Sequence, residues 1–104
     1  MSKHTGLKYT VILEPEADGG YSIHCPALIG CHSQGNTIDE SLTNIKGAIL
    51  LVIELLRDKG KYAPKETPEI VMEEIRQILK ARAEDGLPLV IETREVELPT
   101  GVAV

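Results

Sequence analysis

The sequence predicts an α+β fold: a three-stranded antiparallel meander packed on a long helix, then a second helix and a C-terminal strand. Three observations predict it. Two segments of alternating apolar and polar residues flank the turn Asp18-Gly19-Gly20, the pattern of a hairpin. Thr37 and Glu40, three residues apart, open a long apolar run with helical spacing. At 104 residues the chain has the size of one domain, and one core of this size needs no disulfide or metal staple. The expectation is a single unit, with a β-β-β-α part over 1–62 and a helix-strand extension over 63–104 packed on it.

The first strand runs from Leu7 to Glu14, with Leu7, Tyr9, Val11 and Leu13 on one face and Lys8, Thr10 and Ile12 on the other. Pro15, Asp18, Gly19 and Gly20 then supply the fixed and positive φ values of a tight connection. Tyr21, Ile23 and Cys25 alternate with Ser22 and His24 as an antiparallel second strand. Pro26 cannot donate to a ladder and interrupts the pattern. A third strand, broken by Gly30, is expected from Leu28 to Gly35.

Thr37 and Glu40 form a capping box: the hydroxyl takes a backbone N–H while the carboxylate reaches back to the cap. The helix therefore starts at Ile38 and runs to about Lys59, where Gly60 suits a left-handed cap. Ile38, Leu42, Ile45, Ile49, Val52 and Leu56 follow the helical period, and Leu50, Leu51, Ile53 and Leu55 widen the apolar surface. One face should lie on the sheet, and the extra face needs a second helix or another subunit. Tyr62 to Glu66 is a linker. Thr67 and Pro68 start a second helix, striped by Ile70, Val71, Ile75, Ile78 and Leu79 and ending near Gly86. Leu87 to Leu98 reads as a last strand, closed by Pro99 and Gly101. It could extend the sheet or pair with its copy in another subunit, so a homodimer or larger assembly is expected.

Composition bounds the function. The net charge of −5 opposes broad nucleic-acid binding and suits a basic protein partner. Without Phe or Trp, three tyrosines are the only rings available to stack on bases. No apolar run approaches the roughly 20 residues of a membrane span. Met1 to Gly6 lacks the apolar core of a secretory signal, so a cytoplasmic location and two reduced cysteines are expected.

Four potential metal ligands, His24, Cys25, Cys31 and His32, fall within nine residues. Neighbours on a strand point to opposite faces, so neither adjacent pair aims easily at one ion. The reading is that both cysteines are small buried hydrophobes and both histidines surface residues. Cys31 as a nucleophile would need a positioned base and an orienting third group. Arg57, Lys59, Lys61 and Lys65 complement a helix C-terminus, and Glu69, Glu73 and Glu74 a helix N-terminus. No catalytic residue, metal ligand or cofactor is predicted.

The segment from about Lys8 to Leu56 resembles the N-terminal domain of HicB-type antitoxins, a partial ribonuclease H-like fold. The likeness is carried by Asp18-Gly19-Gly20-Tyr21, Pro26, Gly30-Cys31, Gln34-Gly35 and the Thr37/Glu40 helix start. The resemblance implies a non-catalytic type II antitoxin that forms homo-oligomers. Its partner would be a small, basic HicA-type ribonuclease toxin, neutralised by covering its catalytic surface.

Complete members append a ribbon-helix-helix or helix-turn-helix segment that binds operator DNA. Here a helix precedes the last strand, the reverse of a ribbon-helix-helix, which puts direct DNA binding in doubt. An alternative is a stand-alone regulatory or ligand-binding module of the same fold without a toxin. A metal-dependent nuclease is a third reading, but the middle of the first strand, Tyr9 to Ile12, carries no carboxylate to hold a metal ion.

Overall fold

The computed structural model describes residues 7–99. The readings of Met1 to Gly6 and of Gly101 lie outside the described residues. Strands β1 (Lys8–Pro15), β2 (Tyr21–His24) and β3 (His32–Gly35) are followed by helices α1 (Ile38–Asp58) and α2 (Pro68–Glu84) and by strand β4 (Glu92–Glu97). The strands form one antiparallel sheet in the order β3-β2-β1-β4. The last strand thus extends the meander by pairing with β1.

The β1–β2 hairpin closes through Glu16 N to Gly20 O (3.0 Å) and Gly19 N to Glu16 O (3.1 Å). Between β2 and β3 the chain makes two successive turns, with Leu28 N donating to Cys25 O and Cys31 N to Leu28 O. Ala27 and Leu28 are buried there. The third strand consequently begins at His32 instead of Leu28, because Leu28 is an inward corner of these turns and Ile29 beside it stands fully exposed.

Alternation along β1 decides which side of the sheet each helix covers. Tyr9, Val11 and Leu13 pack with Ile23, Val96 and the Ile45, Ile49 and Ile53 stripe of α1 in the main core. Thr10, Ile12 and Glu14 point to the opposite face, and Ile12 is fully buried there. Helix α2 lies on that side. Arg82 of α2, itself buried, reaches Glu14 at 3.2 Å, and Glu74 reaches His24, the register partner of Ile12, also at 3.2 Å. The second helix therefore does not cover the surplus apolar face of α1, where Leu51 and Leu55 remain about half exposed.

The C-terminal strand is shorter than the alternation suggests, starting at Glu92 and not Leu87. Leu87 N is spent on Arg82 O (2.8 Å) in closing α2, and the Pro88 carbonyl accepts from Arg82 Nε (2.6 Å). Pro88 also brings no N–H to a ladder.

Candidate partner-binding surface

The turn after β1, the end of β3 and the first turns of α1 meet at one end of the meander. Gly35 brings them together: a Cβ there would stand 2.5 Å from Ser41 N and 2.6 Å from Ser41 Oγ, so only glycine lets β3 lie this close to α1. Gly20 makes the matching approach from the hairpin, with φ +81° and an added Cβ only 2.9 Å from Gly35 O. Thr37 Oγ1 accepts from Glu40 N (3.0 Å), and Asn44 Nδ2 donates to Gln34 O (2.7 Å), tying α1 to the edge strand. The Glu40 carboxylate accepts from Asn36 N, one residue ahead of the cap it was expected to reach.

These contacts frame a polar cleft of about 610 Å³. Asp18, Gly19, Tyr21, Gln34, Gly35 and Glu40, all read from the sequence as motif residues, line it together with Glu16. Three carboxylates, Glu16, Asp18 and Glu40, therefore border one opening beside the free edge of β3. Closely set charges of one sign raise the local concentration and encounter rate of an oppositely charged partner. Gly20 and Thr37 hold the surrounding backbone instead. Pro26, Gly30 and Cys31 lie apart from this cleft, along a groove of about 500 Å³ with His24, His32 and Glu74.

The His24-Cys25-Cys31-His32 group is divided by the sheet. His24 and His32 are direct partners across β2 and β3 and share the α2 face. Cys25 and Cys31, joined by Cys25 N to Cys31 O (3.0 Å), are free thiols buried in the main core. Burial, then the neighbouring Cys31, pushes the Cys25 thiol up to about 12, and burial raises Cys31 too. That direction is opposite to the one that activates a thiol nucleophile.

Burial likewise lifts the Tyr9 hydroxyl to about 12, with Cys25 and Glu66 adding to the shift. His32 is a surface residue as expected. His24 is not: its side chain is 23% exposed and Nε2 meets Glu74 Oε2. That pairing crosses 50 residues of sequence, and no local pattern announces it. Among the described residues, no group of three or more His, Cys, Asp or Glu is arranged to hold a metal ion. No helix among them is long and apolar enough to cross a membrane.

A family described as HicB-like antitoxin of bacterial toxin-antitoxin system matches residues 9–85. A UPF0150 protein of Synechocystis sp. is 55% identical over 58 residues, 56% of this chain and 73% of that protein. A UPF0150 protein of Thermoplasma acidophilum is 44% identical over 63 residues, 61% of this chain and 91% of that protein.

Among solved structures, the N-terminal domain of the Burkholderia pseudomallei antitoxin HicB aligns with a TM-score of 0.62 at 22% identity. The alignment covers 89% of this chain and 99% of that one. A chain of the HicA3 and HicB3 toxin-antitoxin complex aligns with a TM-score of 0.58 at 21% identity, over 89% of this chain and 99% of that one. At such identities the structures speak for the fold. The family match runs from within β1 to the residue that caps α2, and the chain belongs to the HicB-like antitoxin family.

Proposed function

We propose that the protein is the antitoxin of a type II toxin-antitoxin pair, binding and neutralising a small, basic HicA-type ribonuclease. The observation that carries this reading is the family match over residues 9–85. Likeness in fold to a chain from a HicA3 and HicB3 complex supports it. The acidic cleft beside β3 supports a basic partner: Glu16, Asp18 and Glu40 present like charge where an edge strand is free. Inhibition then consists of occupying the toxin surface, with no bond made or broken by the antitoxin.

In this reading the two parts of the chain, 1–62 and 63–104, act as one unit. Pairing of β4 with β1 and the ties of α2 to Glu14 and His24 support that. Self-association belongs to the same reading, supported by the half-exposed Leu51 and Leu55 on α1. Light scattering that returned a mass near 11.4 kDa would remove that part alone.

The direct experiment is to look for a gene for a small basic protein beside this one and to co-express the two. A co-purifying complex and relief of toxin-induced growth arrest are expected. Absence of both would refute the antitoxin role.

A further inference from the structure

The linker between the helices builds a second site. Tyr9 Oη donates to Pro64 O (2.7 Å), and the Glu66 carboxylate accepts from both Thr10 N (2.6 Å) and Thr10 Oγ1 (2.7 Å). These bonds pin the linker to β1 and leave a cavity of about 600 Å³ beneath it. Pockets of roughly 300–1,000 Å³ are the usual size for small organic ligands. Leu7, Ala63, Pro64 and the ring of Tyr62 give this one apolar walls, with Tyr9 buried behind them and Tyr62 81% exposed at its side.

The polar groups around the cavity divide into spent and free. The Tyr9 hydroxyl and both oxygens of Glu66 already have partners. Lys8 and Lys65 also line the cavity, and neither forms an ion pair among the described residues. The partners of Glu66 on Thr10 are neutral and leave its charge in place, so the lining sets two ammonium groups against one carboxylate, a net positive opening in a chain of net charge −5. We infer that the cavity binds a small organic anion with an apolar body, such as an aromatic or branched aliphatic carboxylate. The apolar part would lie against Tyr62 and Pro64, and the carboxylate would face the two ammonium groups. This site is separate from the acidic cleft and independent of the toxin.

The test is an amide NMR titration of the full chain with three probes of one shape: 1-naphthoate, neutral 1-naphthol and cationic 1-naphthylmethylammonium. The expected result is saturable shifts for 1-naphthoate at Leu7, Lys8, Tyr9 and Thr10 and at Tyr62, Ala63, Lys65 and Glu66. A dissociation constant of about 0.1–1 mM fits a ligand of this size. The neutral probe should bind roughly three- to tenfold more weakly, the worth of two exposed charge pairs, and the cation more weakly still. Lys8→Gln with Lys65→Gln should bring 1-naphthoate down to the affinity of 1-naphthol. Added salt should do the same to the unaltered protein, so the result does not depend on how the variant folds. Equal binding of all three probes, shifts centred on Leu51 and Leu55, or shifts that never saturate would overturn the inference.

Discussion

Replacing Gly35 by alanine isolates the contact on which the acidic cleft depends. The new methyl would sit 2.5 Å from Ser41 N, 2.6 Å from Ser41 Oγ and 2.9 Å from Ser41 Cα. Two of these three atoms are backbone, and the Ser41 hydroxyl is held by Thr37 O at 2.8 Å, so relief requires β3 and the start of α1 to move apart. Overpacking of this kind costs about 1–3 kcal/mol, which lowers the Tm of a domain this size by roughly 4–20 °C. The control is Gly47→Ala in the middle of α1, where an added Cβ meets no heavy atom within 4 Å. There the same methyl removes a helix-destabilising glycine and should stabilise by about 0.5–1 kcal/mol. Thermal and urea unfolding of the two variants therefore predict opposite signs for one chemical change. If Gly35→Ala melted within about 2 °C of the parent, or both variants were destabilised equally, the account of the β3–α1 approach would be wrong.

If the protein is an antitoxin as proposed, charge reversal at Glu16 and Asp18 should slow toxin association by about tenfold at low salt, with the difference shrinking as salt is added; stopped-flow mixing reads this directly, and an unchanged rate places the partner elsewhere. Thr37→Ala removes the acceptor of Glu40 N and should lower stability by about 1 kcal/mol in urea titrations. Cys25 should resist thiol reagents in the native state and react once the protein is unfolded in urea, since its thiol is buried and raised to about 12. The same thiol makes stability fall at high pH. Unfolded, it loses its proton as pH passes its ordinary 9.0, while the folded thiol keeps its proton to about 12. Stability is therefore fully present below pH 9 and declines above it by up to about 1.4 kcal/mol per pH unit. Urea midpoints measured from pH 7 to 10.5 check this, and Cys25→Ala should lessen the decline, leaving the shares of Cys31 and Tyr9, which burial raises in the same direction.

Helix limits were legible because caps are local chemistry. Thr37 and Thr67 each accept from the N–H three residues on, and the carbonyls of Arg57 and Leu56 are taken by the N–H groups of Gly60 and Lys61. The hairpin was legible for the same reason. Strand ends were not, because Leu28 and Leu87 are apolar residues whose roles are set by turns and a helix end. The motif residues could be named, yet their convergence on one cleft depends on Gly35 admitting Ser41. The placement of α2 was hidden more completely. Only Ile78 in its apolar stripe is buried, and the other fixed points are the charged pairs of Arg82 and Glu74 with residues 68 and 50 positions away.

Covering the sheet on both faces has a consequence for recognition. With α1 over one face and α2 reaching across the other, strand pairing with another molecule is left to the two rims. The β4 rim carries Glu92, Arg94, Glu95 and Glu97 within six residues, and charges along an edge oppose addition of a further strand. The β3 rim carries His32, Ser33, Gln34 and Gly35 with no carboxylate or ammonium of its own. Three carboxylates wait at its end instead. Under the antitoxin proposal this edge, whose Gln34 carbonyl Asn44 already takes, lies next to charges that favour a cation and so suits a basic partner better than a second copy of this acidic chain. In the antitoxin reading the toxin and the self-association contact therefore need not compete: one uses the β3 end of the sheet, and the other the leucines on the outer side of α1.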